Sequence, residues 1–490
     1  MEWIDAATAA ERLGVKPATL YAYVSRGVLK RRHDDTGRRS LFDAAEIEQL
    51  ARRGRPRGQP PELVIESGIT ALGLDRPYYR GHDALTLARA TCFEATAEWL
   101  WTGDPALLPA PGGTRAWDGG GARGRDAVGG RSRGDGVEAV SPGEVGAVSP
   151  PGASGAAGAP GPPGAPGPSG SPGSPGPSGA TGATGVLGAG SEAGGAVGAR
   201  DGGVRPWDCD PEAVRAAVAA QRDLPEGILP LDRLQVITTV LGASDSLRYH
   251  LAPEAVAATG RRLIAGLVEA LPPLQEPQGA SIAERLWSRV CPHPATPALI
   301  RTFEVALVLL ADHELAASTL AARVAASAKA DPYAVVLTGL GVLGGPLHGG
   351  ASYAAERLLA EVTGPDQAPR VIAGWIRRGE RIPGFGHSVY KNGDARGRLL
   401  LDLLAQAAPG HDRLAVAQAV LDEVRRRRLP ERNIDFALAA LVAVTGMVSG
   451  AGEAVFAIAR TAGWLAHAME EYARGSLLRL RASYVGPPIR

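Results

Sequence analysis

This chain of 490 residues has few cysteines and almost no net charge. The three cysteines (Cys92, Cys209 and Cys291) lie far apart and form no C-x-x-C motif. A disulfide framework and a cysteine-ligated zinc site are therefore unsupported. Lys and Arg together number 52 and Asp and Glu 51, which gives a formal net charge of +1. The chain as a whole has no electrostatic preference for nucleic acid or membrane, and any such partner must be bound locally.

Long apolar runs are also lacking, since no stretch reaches the roughly 18 uncharged apolar residues of a membrane span. The first residues carry Glu2 and Asp5, whereas a secretory signal begins with basic residues. We expect a soluble protein of the reducing cytoplasm with no membrane partner.

Glycine and proline are abundant, with 65 and 39 residues, and they concentrate between about residues 105 and 205. There Gly recurs at every third position from Gly152 through Gly188, the period of collagen, in which only Gly fits at the axis of the triple helix. The alternative is a disordered segment, because Ala, Pro, Ser and Thr bury too little apolar surface to fold. We favour a disordered, collagen-like insertion over residues 105–205.

Residues 1–58 form a small basic unit with a local charge of +4 from twelve basic and eight acidic residues. Helical patterns run from Ala6 to Leu13 and over residues 17–25. Asp43 and Glu46 form a capping box that predicts a third helix to about residue 53.

Helical periodicity dominates from residue 207 onward, so the predicted fold class is all-α. Ser281 and Glu284 form a second capping box. The run over residues 298–327 contains neither Gly nor Pro and predicts one helix with Asp312, His313 and Glu314 in its interior.

Three histidines stand out: His313, His348 between pairs of glycines, and His387 in a second glycine-rich segment. Glycine lets backbone approach a ligand closely, and a helix starting near Ser352 would favour neutral imidazole at His348. Neutral imidazole can donate a hydrogen bond to an oxygen that becomes negative during a reaction. A structural role is the alternative for any one of them. No metal site is expected, because no metal-ligand motif accompanies them.

Asp435 interrupts an apolar stretch that runs to Val448. A desolvated carboxylate has a raised pKa and suits general-base catalysis, although Asp435 could instead be a helix N-cap. Arg396, Arg460, Arg479 and Arg481 lie in or beside apolar segments, where guanidinium groups can bind carboxylates.

Several segments together resemble the citrate synthase family: Gly345-Pro-Leu-His348-Gly-Gly-Ala351, Gly384-Phe-Gly-His387-Ser-Val-Tyr-Lys391, Asn433-Ile-Asp435-Phe436 and Phe456-Ala-Ile-Ala-Arg460-Thr-Ala-Gly-Trp464-Leu-Ala-His467. Their order and spacing agree with the family, and the resemblance covers about residues 62–104 and 206–490. It implies a two-domain, almost wholly helical homodimer that condenses acyl-CoA with a 2-oxo acid. The large domain would comprise residues 62–104, 206–349 and 446–490, and the small domain residues 350–445.

The resemblance also implies roles for individual residues. Asp435 would take a methyl proton from acetyl-CoA, His348 would hydrogen-bond the enolate oxygen, and His387 would polarise the ketone of oxaloacetate. The oxaloacetate ligands would be His313, His387, Arg396, Arg460 and, from the partner subunit, Arg479. The loop that closes on acyl-CoA would consist of Pro383, Gly384, Phe385 and Gly386. The CoA thioester is a substrate, and no cofactor is implied. Propionyl-CoA, giving 2-methylcitrate, is the alternative acyl donor. The chain departs from the family at Ser388, Ser352 and Ala437, where Arg, Asn and Tyr are usual.

The N-terminal unit resembles the helix-turn-helix of the MerR and excisionase type, in Ala10-Glu-Arg-Leu-Gly-Val15 and Pro17-Ala-Thr-Leu-Tyr-Ala-Tyr23. Candidate DNA contacts are Thr19, Tyr21, Tyr23, Arg26, Lys30 and Arg31. A small docking domain with a solvated basic face is the alternative. A second functional hypothesis follows: a transcription regulator whose synthase-like part senses oxaloacetate or acyl-CoA.

Overall fold

The computed structural model describes residues 3–13, 20–21, 23–24, 29–33, 40–44, 46–47, 64–108, 207–391, 393–480, 482 and 486. The expected collagen-like insertion lies outside the described residues, except for a 3-10 turn at Pro105–Leu107. Thr19 and Arg26, two of the candidate DNA contacts, and Arg481 also lie outside them.

The N-terminal region combines a helix with a small sheet. Helix α1 spans Ala6–Leu13, as the sequence predicts, and the amide of Thr8 donates to the carboxylate of Asp5 at its start. Strands β1 (Trp3–Asp5), β2 (Arg31–His33) and β3 (Ser40–Asp43) form an antiparallel sheet in the order β1-β3-β2. The sequence analysis did not predict this sheet. It packs on α1 around a core of its own that includes Ile4, Leu20, Phe42 and Ile47.

A second antiparallel sheet begins the larger helical body. Strands β4 (Thr70–Leu72), β5 (Pro77–Tyr79) and β6 (His82–Asp83) pair in sequence order. Helices α2 (Ala84–Ala90) and α3 (Phe93–Thr102) follow. Helix α3 ends at Gly103, whose φ of 67° is left-handed and favours glycine.

The remaining described chain is mostly helical. Its helices are α4 (Pro211–Ala219), α5 (Pro230–Ser244), α6 (Pro253–Glu269), α7 (Ile282–Val290), α8 (Pro297–Leu310), α9 (Ala317–Ser327), α10 (Pro332–Leu343), α11 (Gly350–Glu361), α12 (Ala368–Arg377), α13 (Ala395–Ala407), α14 (Asp412–Arg426), α15 (Ile434–Thr445) and α16 (Ala451–Arg474). The predicted capping box is present at the start of α7, where Ser281 and Glu284 bond each other's backbone. In the described residues of this body, the regular structure is helical apart from strands β4 to β6, which agrees with the predicted all-α class.

Helix α16 forms the centre of this body. The helix has 24 residues, and those from Ala451 through Met469 are buried on every face of the helix. A helix that is buried on every face lies in the interior of a large core. It packs against α3, α6, α8, α9 and α10.

The prediction of one helix over residues 298–327 is wrong. Helix α8 ends at Leu310, and α9 begins at Ala317. Between them the Asp312 carboxylate accepts a hydrogen bond of 3.1 Å from the amide of Glu314, whose φ of 52° is left-handed. A short acidic side chain can compete for backbone donors and so end a helix without Gly or Pro.

None of the helices in the described part of the chain is long and apolar enough to cross a membrane. Nor do the described residues bring together three His, Cys, Asp or Glu side chains in an arrangement that could hold a metal ion.

Candidate active site

One cavity of about 1260 Å³ collects nearly all the predicted site residues. Its lining includes His313, His348, His387, Arg396, Asp435, Arg460 and the loop of Pro383, Gly384, Phe385 and Gly386. These residues come from the turn after α8, the starts of α11, α13 and α15, the glycine-rich segment before α13, and the middle of α16. The fold therefore brings residues together from distant segments, since His313 and Arg460 both line this one cavity.

His348 precedes α11 and is held by Ser318 of α9. The imidazole Nε2 lies 2.7 Å from the Ser318 hydroxyl oxygen, which also accepts a hydrogen bond of 3.2 Å from the indole of Trp464. Because the indole can only donate, the hydroxyl hydrogen is available to Nε2, and a hydroxyl that donates to Nε2 requires the His348 proton on Nδ1. Burial, together with the charge of Arg460, lowers the pKa of His348 to about 4. The ring is therefore a neutral hydrogen-bond donor, as predicted, although burial and Arg460 are the causes.

His387 is oriented by the backbone that follows it. The amides of Val389 and Tyr390 lie 3.0 and 3.2 Å from Nδ1, so this nitrogen accepts hydrogen bonds and the proton resides on Nε2. Burial and the charge of Arg396 lower the pKa of His387 to about 4. His387 is thus also a neutral donor.

His313 packs against His387 and Tyr390. Its ring is T-shaped to both rings, and its Nε2 lies 2.9 Å from the Tyr390 hydroxyl. Burial and the nearby cations Arg396 and Arg460 lower the pKa of His313 well below its ordinary value. All three imidazoles at the cavity are consequently uncharged at neutral pH.

Asp435 lies in the first turn of α15 and is not the N-cap of this helix. The N-cap is Asn433, whose side-chain oxygen accepts from the amides of Asp435 and Phe436. The Asp435 carboxylate is therefore available to the cavity. Burial raises its pKa to about 6, although a 2.5 Å hydrogen bond from the Ser352 hydroxyl acts in the opposite direction. Such a carboxylate is mostly ionised at neutral pH and basic enough to accept a proton.

The two buried arginines of the cavity differ in their pairing. Arg396 forms a two-pronged ion pair with Asp394, at 3.0 Å from Nε and 2.8 Å from Nη2. Arg460 donates from Nε to the carbonyl of Leu310, but its buried Nη1 has no hydrogen-bond partner. Burial lowers the pKa of Arg460 to about 10, which still leaves it charged. A buried cation with an unused donor is suited to an anionic ligand.

Other predicted residues lie apart from this cavity. Arg479 follows α16, is exposed and does not line the cavity of its own subunit. In the N-terminal region Tyr21, Lys30 and Arg31 are exposed, whereas Tyr23 packs against the small core.

The sequence analysis missed Ser318, Tyr390 and the hydrogen-bonding role of Ser352. Ser318 contacts His348 across 30 residues and Ser352 contacts Asp435 across 83 residues, so only the tertiary fold brings them together. Tyr390 lies three residues after His387, and its position within the motif was an available signal.

Two families of known proteins match this chain. Residues 211–481 match the citrate synthase C-terminal domain family, and residues 3–55 match a helix-turn-helix domain family. Citrate synthase 2 of Bacillus subtilis is 33% identical over 276 residues, which cover 54% of this chain and 74% of that protein. The 2-methylcitrate synthase 2 of Corynebacterium glutamicum is 31% identical over 281 residues, which cover 54% of this chain and 73% of that protein.

A solved structure has the same fold. Citrate synthase from Thermoplasma acidophilum, in a ternary complex with carboxymethyl coenzyme A and oxaloacetate, aligns with a TM-score of 0.57 at 19% identity. The alignment covers 89% of this chain and 97% of that structure. From the family match over more than half of the sequence, the chain belongs to the citrate synthase family.

Proposed function

We propose that this protein condenses acetyl-CoA with oxaloacetate and water to give citrate and CoA. The observation that carries the proposal is a single cavity lined by a carboxylate of raised pKa, three neutral imidazoles and two buried guanidinium groups. A base, hydrogen-bond donors for developing negative charge and cations for a dianion are the groups that this reaction requires.

Enolisation is assigned to Asp435 and His348. Asp435 removes a proton from the methyl carbon of the thioester. The Nδ1–H of His348 donates to the thioester oxygen, on which negative charge develops. Ser318 supports this step because its hydroxyl can donate to Nε2 of His348 in the tautomer that carries the proton on Nδ1.

Carbon–carbon bond formation is assigned to His387. The enolate carbon attacks the ketone carbon of oxaloacetate, and the ketone oxygen takes up a proton from Nε2 of His387. The backbone amides at Nδ1 hold the ring in the tautomer that this transfer needs. Water then hydrolyses citryl-CoA to citrate and CoA. The proton that this hydrolysis releases returns to Nε2 of His387, and Asp435 loses the methyl proton to solvent.

Oxaloacetate carries two carboxylates, and the cavity offers two arginines for them. Arg460 has a free buried donor, Nη1, while Arg396 is already partly neutralised by Asp394. His313 lines the same cavity, packs on His387 and is near enough to both arginines to feel their charges, so it can add a hydrogen bond to the bound dianion. Arg479 of the partner subunit completes the ligand set in this proposal.

Acyl-CoA is assigned to the loop of residues 383–386 and the rim around it. Gly384 and Gly386 have φ values of 81° and 83°, and a Cβ at Gly384 would lie 2.8 Å from Cβ of Phe436. This loop can therefore pack on α15 only with glycine at that position. The exposed cations Arg381 and Lys391 line the same cavity and suit the phosphates of CoA.

A homodimer is part of the proposal, with the outer face of α9 and α10 as its contact. Leu320 and Val324 of α9 are exposed by 38% and 45%. Arg323, the one charged residue within Ala317–Ser327 and Pro332–Leu343, is buried. A helix pair whose outer face carries no charge suits a second copy of the chain. We further propose the large and small domain boundaries given above and a cytoplasmic location.

Thiol release from acetyl-CoA and from propionyl-CoA, each with oxaloacetate, tests the enzyme proposal and identifies the preferred acyl group. Asp435→Ala serves as the matched inactive control. Turnover that exceeds this control with at least one thioester is expected. Absence of turnover with both would refute the proposal and leave the sensor hypothesis.

DNA binding by residues 1–58 is a second proposed function. It is favoured by the helix-turn-helix match and by the exposed Lys30 and Arg31 at the start of β2. Fluorescence anisotropy with DNA from the neighbouring promoter should show binding that weakens as salt rises. A variant lacking residues 1–58 should lose this binding and keep its synthase activity. Equal DNA binding by the truncated protein would contradict the assignment.

A further inference from the structure

One face of helix α16 holds the turn that carries His313. Nε of Arg460 donates to the carbonyl of Leu310 at 2.8 Å. The amide of Gly463 donates to the carbonyl of Ala311 at 3.0 Å. Nε2 of His467 lies 3.3 Å from the carboxylate of Asp312. Since residues three and four apart share a helix face, these contacts dock three consecutive residues of the turn onto α16.

His467 has a fixed orientation and proton position. Nη1 of Arg323 lies 2.7 Å from Nδ1 of His467. A guanidinium only donates, so Nδ1 accepts and the proton resides on Nε2, which donates to the Asp312 carboxylate. His467, Arg323 and Asp312 are all fully buried. Arg323 is itself held by Glu470 and Glu471 at the end of α16.

Asp312 acts on both neighbouring ligand residues of the cavity. Its Oδ2 accepts the amide of Glu314 and so closes the turn around His313. Its negative charge also partly offsets the positive charge of Arg460. Burial alone would raise the pKa of Asp312, but His467 and Arg460 hold this pKa below its ordinary value. A Cβ on Gly463 would lie 2.3 Å from Oδ1 of Asp312, so this close approach requires glycine.

We propose that the hydrogen-bonded Asp312 and His467 form a positioning pair for oxaloacetate, holding His313 and Arg460 where the substrate's carboxylate binds. Neither side chain of the pair lines the cavity, so both act through the residues that do. This inference rests on the proposed assignment of His313 and Arg460 to oxaloacetate.

The test uses the full-length protein and the variants Asp312→Asn, His467→Leu and His467→Gln. Thr461→Val is the matched control, because Thr461 is equally buried on α16 but bonds only the carbonyl of Ala457. The measurements are the KM values for oxaloacetate and acetyl-CoA, kcat, and the Kd for oxaloacetate by calorimetry, which needs no turnover.

We expect Asp312→Asn and His467→Leu to raise the KM and Kd for oxaloacetate about tenfold or more, with the KM for acetyl-CoA and kcat within about threefold of wild type. Gln can accept from Arg323 and donate to Asp312, so His467→Gln should stay within about threefold of wild type in every constant. Thr461→Val should do the same.

Several outcomes would overturn the positioning role. One is an equal loss of oxaloacetate binding in His467→Leu and His467→Gln. Another is a rise in the KM for acetyl-CoA that accompanies the rise in the KM for oxaloacetate. Either result indicates general damage to the fold. Unchanged oxaloacetate binding in His467→Leu would also overturn it. If Asp312→Asn fails to fold, the two His467 variants alone test the positioning role. If the wild-type protein binds oxaloacetate but shows no turnover, only the enzyme proposal is refuted. The Kd values of the variants for oxaloacetate then still test the positioning role. A wild type that does not bind oxaloacetate refutes both.

Discussion

The hydroxyl of Ser352 donates a hydrogen bond of 2.5 Å to Oδ1 of Asp435 and so joins α11 to the first turn of α15. Burial raises the pKa of Asp435 to about 6, and the hydrogen bond from Ser352 opposes that rise. A donor to the ionised carboxylate favours the charged form. Ser352 therefore helps to set the pH at which the proposed base is ionised.

Ser352→Ala should move the acidic limb of the pH profile to higher pH. Asp435 acts as a base only when ionised, so activity falls as the pH drops through its pKa. Loss of the Ser352 hydrogen bond raises that pKa, and the midpoint should rise by roughly half to one pH unit. The measurement is kcat/KM for acetyl-CoA from pH 5 to 8. Ser318→Ala, which removes the hydroxyl at His348 instead, should lower kcat without moving this midpoint. A profile unchanged in Ser352→Ala would contradict the prediction.

Asp435→Ala and Arg460→Ala should separate chemistry from binding. Loss of the base should lower kcat by roughly 10²- to 10⁴-fold and leave the Kd for oxaloacetate nearly unchanged. Loss of the cation should mainly weaken oxaloacetate binding. Steady-state kinetics combined with calorimetry on both variants tests this difference. The same pattern of losses in both variants would show that the two roles are wrongly assigned.

Glu304→Gln should stabilise the protein increasingly as the pH rises. Burial and the neighbouring Glu94 raise the pKa of Glu304 well above its ordinary value of 4.5. The folded state therefore retains a proton that the unfolded state releases, and stability falls as the pH rises above 4.5, by at most about 1.4 kcal/mol per pH unit. Glutamine stays uncharged and can still accept from the amide of Phe93, as Glu304 does.

Urea unfolding at pH 5.5, 6.5 and 7.5 measures the stability difference between Glu304→Gln and wild type. The difference should grow in favour of the variant from the lowest to the highest pH. Glu212→Gln, at an exposed position of α4, is the matched control and should show no such trend. A constant difference for Glu304→Gln would mean that Glu304 does not titrate in this range.

Replacing residues 109–205 by a linker of roughly ten Gly and Ser residues should preserve folding, dimerisation and turnover. The chain is anchored on both sides of the replaced segment. Leu108 packs against the main core, and the ring of Trp207 stacks on Trp101 with centroids 5.6 Å apart. Melting temperature, sedimentation and thiol release are the measurements. A variant that folds but loses dimerisation or activity would assign a structural role to the insertion.

The sequence predicted which residues line the cavity better than it predicted the local structure around them. His348, His387 and Asp435 were recognisable because glycines or apolar neighbours surround them, and the raised pKa of Asp435 follows from that burial. The break between α8 and α9 was not predictable from Gly and Pro. It arises where the Asp312 carboxylate bonds the backbone of Glu314 and the imidazole of His467, a residue 155 positions away. Contacts between residues so far apart leave no periodic signal in a sequence.

Helix α16 also bears on how the chain is made. The helices that pack on it, among them α3, α6, α8, α9 and α10, are all synthesised before it. During translation these helices can pack on one another, but the surfaces that contact α16 lack this partner until residue 474 has left the ribosome. The core of the helical body can close only after translation of this segment, so a stalled nascent chain ending before α16 exposes the surfaces that chaperones bind.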